Sequence, residues 1–175
     1  MRRKLPYLFV SLGILVADQW TKHLVEARLP RGASEPVIAG FLNLVHVKNT
    51  GVAFGMFASD SGSTSWVLTV LGLVALAAVS VYFAWTPAQD RLLLTALALV
   101  AGGAVGNLLD RVLAGSVTDF VDVFVGTYHW PAFNVADSAI TVGIVLMVLD
   151  TFRHRPGEAG AAADPAAPGT APETS

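Results

Sequence analysis

Residues 91–111 have the sequence RLLLTALALVAGGAVGNLLDR, in which a long apolar run ends in a short polar group. The apolar part, 92–109, has close to the 20 or so residues that a helix needs to cross a hydrocarbon core of about 30 Å. Its last turns carry Asn107, Asp110 and Arg111, which are costly to place among lipid tails. The stretch therefore predicts a membrane-spanning helix with polar side chains near one end.

Three more apolar runs of similar length lie at about 5–25, 66–85 and 133–152. The composition agrees with a membrane protein, because 54% of the 175 residues are hydrophobic and only 14% are charged, whereas a soluble domain carries about 25% charged residues. The sequence therefore predicts a mainly α-helical membrane protein with four transmembrane helices.

Several function classes are excluded by the composition. The net charge is -2, so no basic excess is available to hold a phosphate backbone, and nucleic acid is not expected as a partner. The chain has no Cys, which removes thiol catalysis, disulfides and thiolate metal sites. Its four His residues show no metal-ligand spacing. No metal and no cofactor are expected.

Basic clusters flank the first and last runs, with RRK at 2–4 and RHR at 153–155. Lys and Arg beside a span favour the cytoplasmic side, and four spans bring both termini to one side. We therefore expect both termini in the cytoplasm, with segments 26–65 and 110–132 on the outer side.

The outer segment 37–57 is rich in β-branched and aromatic residues and is interrupted by Gly, which predicts short strands on the membrane surface. We expect one membrane domain over residues 1–155. Residues 156–175 are mostly Ala, Pro and Gly and predict a disordered cytoplasmic tail.

Polar residues lie at a similar depth in three of the four predicted spans. At about 1.5 Å of rise per residue, Asp18, Asn107 and Asp137 lie roughly 21–24 Å above the inner boundary. Helical spacing places the polar residues of each span on one face, which indicates a bundle interior or a water-filled cavity. The other residues of this layer are Lys22, Asp110, Arg111 and Asn134.

Structural explanations compete with a functional one at most of these positions. A simple i,i+4 salt bridge could account for Asp18 and Lys22. Asp110 could lie at the lipid headgroups. Asp137 is harder to explain, because it lies in an apolar run with no cation within one turn. Its partner must come from elsewhere in the fold.

With thiol and metal chemistry excluded, catalysis by a pair of carboxylates remains possible. Two close carboxylates can share one proton, so that one activates a water and the other protonates a carbonyl. The candidates are Asp18, Asp110, Asp119, Asp122 and Asp137. Composition and depth leave open which two of them pair.

Five ordered motifs cover residues 18–138. They are DQWTK at 18–22, NTGVAFG at 49–55, GGAVGNLLDR at 102–111, VTDF at 117–120 and PAFNVADS at 131–138. Together they closely resemble the motifs of the lipoprotein signal peptidase (signal peptidase II) family. The resemblance implies a membrane-embedded aspartic endopeptidase that removes the signal peptide from prolipoproteins by cutting before the lipid-modified cysteine.

The resemblance also implies roles for single residues. Asp119 and Asp137 are expected to form the catalytic pair, and Asp122 is the nearest rival and is expected to be structural. The remaining family positions are expected to hold the substrate or to support the pair: Asp18, Lys22, Asn49, Gly51, Asn107, Asp110, Arg111 and Asn134.

The expected partners are lipid-modified prolipoproteins and membrane lipid, and a monomer is expected. The expected location is the bacterial plasma (inner) membrane, with the active site near its outer face. The alternatives are a small polar-lined transporter and a non-catalytic membrane protein. A transport path should be polar along the whole depth, whereas the inner halves of the four runs are almost free of charge.

Overall fold

The computed structural model describes residues 2–51 and 63–153. In this part of the chain, four long helices are joined at one end to a small antiparallel sheet. The helices are α1 (Leu5–Arg28), α2 (Ser63–Trp85), α3 (Arg91–Ala114) and α4 (Val135–Arg153), and the strands are β1 (Ser34–Ile38), β2 (Leu42–Asn49), β3 (Val117–Val125) and β4 (Tyr128–His129).

Helix α3 is central and packs against α1, α2 and α4. Small residues allow this close approach. A Cβ atom at Gly102 would lie 2.7 Å from the backbone oxygen of Ser11 in α1, and one at Gly103 would lie 2.4 Å from that of Ala136 in α4. Because backbone atoms cannot give way as a flexible side chain can, any larger residue would push these helices apart.

The helices are apolar outside and polar inside. Leu8, Phe9 and Leu12 of α1 are more than half exposed, whereas Asp18 and Lys22 are 0% and 3% exposed. Lipid can cover such an apolar outer surface, whereas the buried charges need partners within the protein.

Three of the helices are long and apolar enough to cross a membrane, at Trp66–Trp85, Arg91–Ala114 and Val135–Arg153. They match three of the four predicted spans. Helix α1 has 24 residues, but the polar group at 18–22 lowers its apolar character. The fourth span therefore stays a prediction.

The sheet has the order β1-β2-β3-β4, with antiparallel neighbours. Its long central pair aligns Val47 with Asp119 and Asn43 with Asp122. Phe120 of β3 packs with Val25 and Leu29 from the end of α1. This apolar contact places β3 directly over the polar ends of the helices.

Strands were expected at 37–57, and the sheet does contain β1 and β2 in this region, beginning three residues earlier at Ser34. Residues 52–57 lie outside the described residues, as does the expected tail at 156–175. The sequence did not predict β3 and β4, although β3 carries two of the five candidate carboxylates.

Candidate active site

The N-terminus of α4 organises the site through Asn134 and Asp137. Asn134 precedes the helix, and its Oδ1 accepts a hydrogen bond of 2.9 Å from the backbone N–H of Asp137. Asp137 Oδ2 in turn accepts one of 3.2 Å from the backbone N–H of Asn134. This reciprocal pair is a capping box with Asp in the third helical position. Asp137 therefore lies in the first turn of α4, rather than in the middle of an apolar helix.

Asp119 lies on β3 and is 2% exposed. Its two oxygens accept hydrogen bonds from two amides, at 2.9 Å from Asn49 Nδ2 and at 2.7 Å from Asn134 Nδ2. Asn49 is the last residue of β2, next to β3 in the sheet. Asn134 therefore contacts both Asp119 and Asp137 and joins the two carboxylates that the sequence motifs single out.

Asn107 provides the interhelical partner that Asp137 was expected to need. Its Nδ2 donates a hydrogen bond of 2.7 Å to Asp137 Oδ1. Its Oδ1 accepts one of 3.0 Å from Lys22 Nζ. The Asn107 amide therefore links a buried cation of α1 to a carboxylate of α4.

Lys22 is the centre of a buried ionic cluster. Its Nζ lies 2.7 Å from Asp18 Oδ2 and 2.9 Å from Asp110 Oδ2. The expected i,i+4 contact with Asp18 is present, but it is one part of a larger network. The other oxygen of Asp18 accepts a 2.9 Å hydrogen bond from the backbone N–H of Ala136, which fixes α1 against the start of α4.

Gln19 also belongs to this network, although the sequence alone predicts no role for it. Its Nε2 donates to Asp110 Oδ1 at 2.8 Å and to Asp18 Oδ2 at 3.2 Å. Its place between Asp18 and Lys22 in the first motif was the available signal.

The electrostatic environment separates Asp119 from an ordinary surface carboxyl. Burial raises the pKa of Asp119 from 3.8 to about 6, and the negative charge of Asp137 acts in the same direction. The hydrogen bonds from Asn49 and Asn134 oppose this rise in the pKa, because they stabilise the ionised form. Near neutral pH, Asp119 can therefore exchange a proton.

Asp122 has a different set of partners, although it lies only three residues from Asp119. Its carboxylate contacts His129 Nδ1 at 2.8 Å and accepts a 2.9 Å hydrogen bond from Asn43 Nδ2. The His129 contact holds the pKa of Asp122 below its usual value. These partners tie β2, β3 and β4 together.

Gly51 and Arg111 complete the set of expected residues. The backbone N–H of Gly51 donates to Asn49 Oδ1 at 2.8 Å, and its φ of 87° suits glycine. Gly51 thus helps to aim the Asn49 amide at Asp119. Arg111 Nε is buried and has no hydrogen-bond partner within the described residues.

Within residues 2–51 and 63–153, no group of three His, Asp or Glu side chains is placed to hold a metal ion. The polar cluster consists of carboxylates, amides and one lysine, each with partners among the others.

The apolar helices enclose buried polar residues at one end of the bundle, an arrangement typical of helical membrane proteins. The family model for signal peptidase (SPase) II matches residues 10–153. The chain belongs to this family, that of the lipoprotein signal peptidases, and is accordingly a protease.

Named relatives and solved structures agree with this membership. The chain is 46% identical over 151 residues to the lipoprotein signal peptidase of Cupriavidus taiwanensis, covering 85% of each chain. It is 46% identical over 149 residues to that of Paraburkholderia phymatum, covering 85% of this chain and 89% of the relative. A bacterial membrane enzyme solved by the in meso method superimposes with a TM-score of 0.71 and 32% identity, covering 86% of this chain and 94% of that one.

Proposed function

We propose that the chain is an aspartic endopeptidase that removes signal peptides from prolipoproteins, with Asp119 and Asp137 as its catalytic pair. The observation that carries the proposal is the double contact of Asn134, which donates to Asp119 and exchanges hydrogen bonds with Asp137. The negative charge of Asp137 also raises the pKa of Asp119, which supports a pair close enough to share a proton.

In this proposal the two carboxylates have different roles. Below about pH 6 Asp119 holds the shared proton, because its burial favours the neutral form. Asp137 takes a proton from the attacking water. As the water oxygen bonds to the scissile carbonyl carbon, Asp119 protonates the carbonyl oxygen. Collapse of the tetrahedral intermediate breaks the C–N bond: Asp137 gives its proton to the departing amine, and a hydroxyl of the intermediate returns a proton to Asp119 as the carbonyl re-forms.

The proposed substrate bond precedes a diacylglyceryl-modified cysteine. We place α1 across the membrane as a fourth span, both termini in the cytoplasm, and the sheet on the outer membrane surface. A signal peptide then crosses the membrane beside the helices, while its cleavage site reaches the layer of Asp119 and Asp137. Arg111, whose buried Nε has no partner within the described residues, is available to hold a substrate carbonyl.

The test is cleavage of a diacylglyceryl-modified prolipoprotein by the purified full chain in detergent. Asp119→Asn and Asp137→Asn should each abolish cleavage while the helical circular dichroism stays unchanged. Asp122→Asn is the matched control from the same strand and should keep most of the activity. Near-wild-type cleavage by either dyad variant would refute the assignment. A folded wild type that cuts no prolipoprotein would instead favour the transport or non-catalytic alternative.

A further inference from the structure

Two arginines line a groove at the end of the helices that lies away from Asp119 and Asp137. The groove has a volume of about 640 Å³ and lies between the starts of α1 and α3. Arg3 precedes α1, and Arg91 is the first residue of α3. Arg91 is 16 positions before Asn107, which is about 24 Å along a helix. The groove is therefore separate from the proposed catalytic site.

The walls of the groove carry positive charge, while Asp90, Asp150 and Arg153 line the adjoining pocket on the other side of Arg91. None of the eight residues that line the groove is acidic. Within the part of the chain that the structure describes, neither the Arg3 nor the Arg91 guanidinium has a hydrogen-bond or ion-pair partner. Asp90, the acidic neighbour of Arg91, accepts a hydrogen bond from the backbone N–H of Leu93. An anion in the groove would be attracted by both guanidinium groups.

The remaining walls of the groove change from polar to apolar along α1. Tyr7 and Gln89 provide polar groups beside the arginines, and Val10 lies one turn further along the helix. Gly13 follows on the same face, and no atom lies within 4 Å of where its Cβ would be. The open strip at Val10 and Gly13 offers room for a hydrocarbon chain next to a site for an anion.

We propose that this groove binds an anionic phospholipid, with the phosphate between Arg3 and Arg91 and an acyl chain along Val10 and Gly13. A guanidinium can donate two parallel hydrogen bonds to phosphate. Basic pockets between helices at the cytoplasmic surface are suited to anionic headgroups. The proposal takes the start of α1 to be cytoplasmic, as under Proposed function, but its test involves no cleavage.

The test is native mass spectrometry of the purified full chain in detergent. Phosphatidylglycerol and phosphatidylcholine with the same acyl chains are offered at equal concentration. The wild type should retain phosphatidylglycerol preferentially, and Arg3→Gln/Arg91→Gln should lower this preference about tenfold. Arg31→Gln/Arg153→Gln removes the same charge outside the groove and should change it less than about twofold.

Three results would overturn the proposal. One is an unchanged preference for phosphatidylglycerol in Arg3→Gln/Arg91→Gln. Another is an equal loss of this preference in Arg31→Gln/Arg153→Gln, which would indicate general attraction between the lipid and positive charge. The third is displacement of the lipid by glycerol 3-phosphate at a similar concentration, which would indicate a site for free phosphate. If the groove variant fails to fold, Arg3→Lys/Arg91→Lys replaces it. That variant keeps the positive charge but loses the planar guanidinium groups with their paired N–H donors. It should therefore lose part of the preference for phosphatidylglycerol.

Discussion

Asn107 Nδ2 lies 2.7 Å from Asp137 Oδ1, so a side chain of α3 holds a carboxylate of α4. The same amide is held from its other end by Lys22, at 3.0 Å. Rotation of the amide would break both contacts, because its donor and acceptor ends are not interchangeable. The buried cation of α1 thereby fixes the direction in which Asn107 points toward Asp137.

We expect Asn107→Ala to lower kcat about 100-fold with a small effect on KM, because Asp137 loses a partner that fixes its position. Steady-state kinetics on a lipidated prolipoprotein would measure this. Asn43→Ala removes a comparable Asn–Asp hydrogen bond at Asp122 and is the matched control. A loss of kcat that is equal in both variants would argue against a positioning role for Asn107.

Asn134 has two separable functions, one in the stability of α4 and one at Asp119. Asn134→Ala should lower stability by about 1 kcal/mol through loss of the helix cap and should also abolish cleavage. Asn134→Ser keeps a good cap but has no amide to reach Asp119, so it should recover stability without recovering activity. Thermal unfolding and cleavage assays on both variants would check this. Full cleavage by Asn134→Ser would contradict it.

Lys22→Met should destabilise the protein by about 3–5 kcal/mol, because Asp18 and Asp110 would remain buried without their cation. Lys48→Met is the control, since the Glu26 partner of Lys48 is 38% exposed, and such pairs contribute about 0–1 kcal/mol. Unfolding of the purified proteins in the same detergent would measure both. Equal losses of stability in the two variants would show that the buried cluster stabilises the protein no more than the exposed pair does.

The pH dependence should report the Asp119 proton. The raised pKa of Asp119 means that its proton is kept up to about pH 6 and lost above that value. We therefore expect kcat/KM to fall as the pH rises through this range. The Asn49 hydrogen bond lowers the pKa of Asp119, so Asn49→Ala should move this fall to higher pH.

The pH–rate profiles of the wild type, Asn49→Ala and Asn43→Ala would check this expectation. Asn43 contacts Asp122 and not Asp119, so its variant should keep the wild-type profile. A shift to lower pH in Asn49→Ala would contradict the proposed role of Asp119 as the proton donor.

Local patterns were sufficient to predict the four helices. Runs of apolar residues predicted the approximate bounds of all four helices, because a helix that crosses lipid needs a continuous apolar run of about 20 residues. The i,i+4 spacing of Asp18 and Lys22 predicted their contact. Spacing alone could not show that Asp110 joins them, because that contact crosses between helices.

The sheet was only partly predictable, because its central pair joins segments that are far apart in the chain. Asn49 and Asp119 are separated by 70 positions, and no local pattern of either strand specifies the other as its partner. The capping role of Asn134 was missed for a different reason. The apolar run was taken to begin at 133, whereas the hydrogen bonds of Asn134 and Asp137 place the helix start at Val135.

The sequence by itself determined a helical membrane protein with its polar residues in one layer, because apolar run length and helical rise are local properties of the chain. The ordered motifs determined the family resemblance. Only the tertiary structure decided which side chains meet. Asn134 contacts both Asp119 and Asp137, and Asn107 connects Asp137 to Lys22, because α1, α3, α4 and β3 converge at one end of the bundle. Buried polar groups must find partners within the fold, and those partners depend on packing between distant segments.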